Sequence, residues 1–160
     1  MIDELSSKFQ KTAFSLRFVC LNNMADLLNS PIKMIGTVKN NQYFGKGKLV
    51  SEKTGKIFYD GVFYDNLYHG IGTLSNPKTS SEQVPEDWYQ KIETCELWKH
   101  YEGKFISGMP EGRGTLVMNN GDYLISEFTR GRINGEGKVF FSDGTTFSGI
   151  WCDNELEDFQ

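Results

Sequence analysis

The sequence predicts a mainly β protein: a single-layer, twisted antiparallel meander of hairpins, with an amphipathic helix at its N-terminal end and a short helix inserted midway. Three observations carry this expectation. Glycines and aromatics recur at fixed steps, as in YDGVFYDNLYHGIGTL at 59–74; the spacing returns along the chain; and apolar mass sits in large rings. Aromatics are 14% of the 160 residues, with 17 glycines and only 4 prolines, a balance that favours strands joined by tight turns. That length allows one domain with appendages. Residues 1–33 read as helix and linker, and 34–160 as the sheet, interrupted at about 75–100.

The N-terminal helix rests on Leu5, Phe9, Ala13, Leu16, Cys20, Met24 and Leu27, spaced three and four apart and followed by NSP as a stop. A second stripe, Phe14, Phe18, Leu21, Ala25 and Leu28, widens the apolar face beyond the needs of one sheet edge. Two roles are open: the helix caps the first repeat, or one stripe docks while the other meets a partner helix or a second copy. A membrane-surface role is the weaker reading, because the polar face has few basic residues. The run FVCLNNMA is too short to span a bilayer, which needs roughly 20 residues. Asp3 and Glu4 stand where a secretory leader should be basic.

The sheet follows from an internal period. Moving 23 positions carries Phe105 to Phe128, Gly108 to Gly131, Gly112 to Gly135, Gly114 to Gly137 and Gly121 to Gly144. Steps of 42 and 25 in the other direction align Tyr101, Gly103, Phe105, Gly112 and Gly114 with Tyr59, Gly61, Phe63, Gly70 and Gly72, and these glycines with Gly36, Gly45 and Gly47. Units therefore begin at Met34, Tyr59, Tyr101, Leu124 and Phe147. In each, residues at i, i+2 and i+4 share one face of a first strand, and Gly-x-Gly-x-Leu does the same in a second. NNG at 119–121 and SDG at 142–144 supply the positive φ of turns between the runs. Glycine weakens a strand, so a column of it needs a cause, and the cause expected is that aromatic rings lie across the bare backbone. The face so lined forms a trough.

The pattern Y-x-G-x-F-x-x-G-x-x-x-G-x-G-x-L resembles the MORN repeat family over residues 34–156 apart from the insertion. Met34 and Val38 replace aromatics in unit one, and Leu124 and Ser126 replace Tyr and Gly in unit four.

In the insertion, Pro85 followed by Glu86 and Asp87 is a helix start, and Trp88, Ile92, Cys95 and Trp98 would share one face. Such a helix would cover the trough or add a second contact surface.

Chemistry finds no foothold. His69 and His100 lack a nucleophile or carboxylate at a motif spacing, Cys152 beside Trp151 reads as a small buried hydrophobe, and GIGTL and GRGTL lack a phosphate-loop lysine. No catalytic residue, metal site or cofactor is expected, and three widely spaced cysteines indicate reduced thiols in an intracellular, cytoplasmic setting. The net charge of −4 disfavours nucleic acid. Locally, six lysines from Lys33 to Lys56 face only Glu52, whereas Asp153, Glu155, Glu157 and Asp158 form an acidic end.

The function expected is a non-enzymatic protein-binding scaffold, or a subunit of a larger assembly. It would hold a partner helix or peptide on the rings Tyr59, Phe63, Tyr101, Phe105, Phe147 and Trp151. The resemblance implies cytoskeletal or ciliary assemblies, membrane junctions or large complexes. The alternative is a peripheral module that meets anionic phospholipid, or an acidic partner, through Lys39, Lys46 and Lys48.

Overall fold

The computed structural model describes residues 31–77, 81–90, 92 and 97–159. Ten strands form one antiparallel sheet in strict chain order: β1 (Ile32–Lys39), β2 (Gln42–Ser51), β3 (Ile57–Tyr64), β4 (Leu67–Ser75), β5 (Trp98–Ile106), β6 (Met109–Met118), β7 (Tyr123–Thr129), β8 (Arg132–Phe140), β9 (Thr146–Cys152) and β10 (Glu155–Phe159). Every unit inferred from the 23-residue period is one hairpin of this meander.

Each hairpin closes on two consecutive residues at positive φ: Asn40 and Asn41, Asp65 and Asn66, Ser107 and Gly108, Arg130 and Gly131, Asp153 and Asn154. Paired positive φ is the geometry whose twist matches the flanking strands, and Asn, Asp and Gly tolerate it best. NNG and SDG serve the longer turns between units, with Gly121 and Gly144 at φ 93° and 90°.

Three rows of residues run across one face of the sheet. The first joins Met34, Leu49, Tyr59, Leu74, Tyr101, Leu116, Leu124, Val139 and Phe147 in register. The second is Gly36, Gly47, Gly61, Gly72, Gly103, Gly114, Ser126, Gly137 and Gly149. The third carries Phe63, Tyr68, Phe105, Pro110, Phe128, Ile133 and Trp151. Tyr59 reaches from the first row over the second to the third, its hydroxyl donating to the Val62 carbonyl at 2.9 Å. A Cβ on Gly61 or Gly72 would lie 2.5 Å from that hydroxyl oxygen. Tyr101 crosses Gly103 and Gly114 in the same way and donates to Lys104 O at 3.3 Å.

The first glycine of each Gly-x-Gly has a different cause. Gly45, Gly70, Gly112 and Gly135 sit at φ 76°, 65°, 73° and 97°, where the ladder within each hairpin shifts register. A Cβ on Gly45 or Gly112 would meet nothing within 4 Å, so these positions need the backbone freedom of glycine and not its small size. Unit four shows the converse. With Leu124 in place of the crossing tyrosine, Ser126 fits in the glycine row and donates its hydroxyl to Glu136 O at 3.0 Å.

Among the described residues there is no α-helix. The N-terminal helix expected over 3–29, with its capping or self-association role, lies outside them. The inserted helix is corrected: among its described residues the segment makes a 3-10 turn at Trp88–Gln90 and no α-helix, Trp98 opens β5, and Cys95 is outside the described residues. The reason is tertiary. The Tyr89 carbonyl, which a helix would spend four residues on, accepts the Trp151 indole N–H at 3.0 Å.

Candidate functional site

The ring face was the expected contact surface, and the structure makes it the core. Tyr59, Tyr101 and Phe105 are fully buried, Phe63 is 2% exposed and Trp151 1%, while Phe147 is half-buried. Tyr59 stacks on Tyr68 with centroids 3.9 Å apart and meets Phe63 and Phe105 edge-on. Tyr101 contacts Phe105 and Phe128 edge-on. Each such pair contributes about 0.5–1.5 kcal/mol beyond its burial. Burial also pushes both phenols well above the ordinary tyrosine range, so they stay protonated and keep the hydrogens they donate to Val62 O and Lys104 O.

The insertion covers the C-terminal rings. Trp88 is fully buried, its indole N–H donating to Asp122 Oδ2 at 3.0 Å, and Tyr89 packs on Phe141 and Phe147. Asp122 also accepts from the Asn120 side-chain amide and the Ser142 N–H, both at 2.8 Å. The expectation of exposed ring anchors is therefore corrected for all but Phe147. A surface that supplies the sheet with its hydrophobic interior cannot also be its free surface.

The opposite face carries the signal that sequence reasoning missed. Tyr64, Ile71 and Ile106 are 60%, 70% and 40% exposed, and Ile35 is 52% exposed. Phe44 meets Tyr64 edge-on at 5.2 Å, and His69 lies 5.6 Å from the Tyr64 ring. Strand alternation places them away from the rings, since each neighbours a ring-face residue: Tyr64 beside Phe63, Ile71 beside Gly72, Ile106 beside Phe105. The clue lay in the "x" positions of the repeat, which in units two and three hold tyrosine and isoleucine.

Lys39, Lys46 and Lys48 are exposed on this same face. Lys48 pairs with Asp60 at 2.8 Å, an exposed contact worth at most about 1 kcal/mol, while no ion pair engages Lys39 or Lys46 among the described residues. Towards the C-terminal half the face changes character. A shallow hollow of about 270 Å³ is lined by Arg113, Ile125, Glu136, Lys138, Ser148 and Ile150, with both charge signs mixed.

No group of metal-ligating side chains occurs among the described residues. His100 Nε2 lies 3.3 Å from Glu102 Oε1, and His69 packs on a ring. Cys152 is exposed, which corrects the expectation of burial, and the neighbouring Glu157 charge raises its thiol pKa. A thiol so placed is a poor nucleophile.

The hairpins, the glycine row and the crossing tyrosines recur with the same units that a family model detects. The model for the MORN repeat matches residues 35–54, 59–80, 101–123 and 125–146, more than half of the chain. The chain belongs to the MORN repeat family. A search of curated proteins finds no match to it. MORN repeats commonly occur in scaffold or membrane-binding proteins. The hairpin β9–β10 lies beyond the matched segments yet continues the MORN pattern with Phe147, Gly149 and Trp151 on the ring face.

Proposed function

We propose that this MORN protein is a non-enzymatic scaffold that binds a protein partner on the face opposite its rings. The observation that carries this reading is the exposed strip of Tyr64, Ile71, Ile106 and Ile35, edged by Phe44 and by Lys39 and Lys46. Large apolar side chains rimmed by lysines suit a helix or peptide with apolar anchors and acidic flanks. A larger cytoplasmic assembly, of the cytoskeletal or ciliary kind that the family implies, is where such a segment would be sought.

The test is a crosslinking pull-down with the intact chain and a Tyr64→Ser/Ile71→Ser/Ile106→Ser variant, whose exposed positions carry little folding energy. The variant should keep its urea midpoint and lose the stoichiometric partner. If it retains the partner, the strip is not the site.

A second reading is favoured by the same lysines: a membrane surface of anionic phospholipid facing Lys39, Lys46 and Lys48. It requires sedimentation with phosphatidylserine vesicles that weakens as salt rises. Absence of sedimentation at low salt removes it.

A further inference from the structure

Neighbouring units are tied at their hairpin tips. The Asn66 N–H donates to the Tyr43 carbonyl at 3.3 Å, and the Tyr43 N–H donates back to Asn66 Oδ1 at 2.9 Å. Asn154 and Ile133 repeat the clasp, at 3.0 and 2.8 Å. At the two middle junctions Gly108 and Gly131 donate only their N–H groups, to Tyr68 O at 2.6 Å and Pro110 O at 2.9 Å. Pro110 has no N–H to return and Gly131 no side chain to receive one, so the two losses match.

The same tip position in unit one is Asn41, exposed at φ 60°. Among the described residues no strand precedes β1, so Asn41 meets no unit there to clasp. The strand position that would receive it is Leu156 on β10. Leu156 pairs with Trp151 as Ile133 pairs with Phe128 and Tyr43 with Val38, which turns its N–H and C=O outward from the sheet edge. Charge matches as well. β1 carries Lys33 and Lys39, with Lys46 and Lys48 behind them, and β10 carries Glu155, Glu157 and Asp158. β1 also exposes Ile35 and Val38, 52% and 54%, on an unpaired edge of the described sheet.

We infer that the chain associates head to tail with a second copy, β10 of one pairing antiparallel with β1 of the next. Asn41 of the second copy donates its N–H to the Leu156 carbonyl and accepts the Leu156 N–H on Oδ1. The contact reproduces the junction between units, so it is heterologous and can continue beyond two copies. Pairing β1 with β1 would set lysine against lysine, and β10 with β10 carboxylate against carboxylate.

The experiment is sedimentation equilibrium of the 160-residue chain from micromolar to millimolar concentration, at low and high salt. Mass should climb past the dimer and fall back as salt rises. Asn41→Gly keeps the turn, removes one clasp bond, and should weaken association about tenfold. Val38→Pro removes an outward N–H from β1, and Glu155→Lys/Glu157→Lys reverses the charge that β10 offers to β1. Each alone should stay monomeric where the parent associates, and an equimolar mixture should give a 1:1 complex that grows no further. Should Val38→Pro fail to fold, as judged by its urea midpoint, Lys33→Glu/Lys39→Glu replaces it as the β1-blocked form, with its own self-association as the readout. A parent that stays monomeric throughout, or a dimer that survives in either single variant, overturns the inference.

Discussion

Tyr59 and Gly61 should be energetically inseparable, and unit four shows what releases them. Gly61→Ser would place a Cβ 2.5 Å from the Tyr59 hydroxyl oxygen and 2.7 Å from the Gly72 Cα. The ring cannot retreat, because Tyr59 is fully buried and stacks on Tyr68. Overpacking of this kind costs about 3 kcal/mol, the upper part of the usual range. Tyr59→Leu alone removes the ring and its bond to Val62 O, which we place at about 3 kcal/mol from the cavity and hydrogen-bond contributions. Together, however, the two changes rebuild unit four, where Leu124 and Ser126 occupy these positions and Ser126 pairs with Gly137. The ring's share of the Gly61→Ser cost should then vanish in the double variant, a favourable coupling of up to about 3 kcal/mol, while the 2.7 Å approach of the Cβ to the Gly72 Cα remains for the backbone to relieve.

Urea unfolding followed by far-UV circular dichroism reads all four corners of this cycle. Equal slopes must be checked, so that midpoints report stability alone. Strict additivity, with the double variant losing about 6 kcal/mol by the same estimates, would refute the claim that the ring excludes a side chain from the glycine row. So would a neutral Gly61→Ser.

Other outcomes follow from the same geometry. Gly112→Asn should cost less than about 1 kcal/mol, since asparagine tolerates φ 73° and the space is open, whereas Gly114→Asn should cost several times more by striking Tyr101; denaturant midpoints compare them. Asp122→Ala strands the Trp88 indole and Ser142 N–H groups and should lose about 3 kcal/mol, with a shift in tryptophan emission as the insertion loosens. Cys152 has a raised pKa, so its thiolate fraction at neutral pH is below that of a free cysteine; iodoacetamide should modify it slowly, faster as pH rises, and faster when salt screens Glu157. A rate equal to that of a free thiol at low salt would contradict that placement.

The hairpins were legible because both signals were local. Alternation fixes which residues share a face, and Asn, Asp and Gly at the tips fix where the chain reverses. The division of labour among the glycines was not legible, since Gly112 and Gly114 look alike in a pattern although one serves the backbone angle and the other the ring. The insertion misled for a different reason. Its Pro-Glu-Asp start is a sound helix signal, but the bonds that shape it come from Asp122 and Trp151, far along the chain. Propensity yields to such contacts.

The same distinction moved the candidate site from one face to the other. Rings at fixed steps draw the eye as anchors, yet a single sheet has few ways to bury apolar surface, and the rings are the largest it owns. With Tyr59, Tyr101, Phe105 and Trp151 buried in the core, the proposed binding face is built from side chains that the repeat does not constrain. In units one to three these are Ile35, Phe44, Tyr64, Ile71 and Ile106, beside Lys39 and Lys46; further along, from Arg113 at the end of unit three to Glu136 and Lys138 in unit four, the corresponding face mixes both charge signs. The repeat therefore specifies the sheet, and in the proposed scaffold the positions between its fixed steps would choose the partner. A Tyr101→Phe change separates the two levels: it removes the bond to Lys104 O and should lower stability by about 1 kcal/mol while leaving partner recovery at its full stoichiometry. Loss of the partner at unchanged stability would return the site to the ring face.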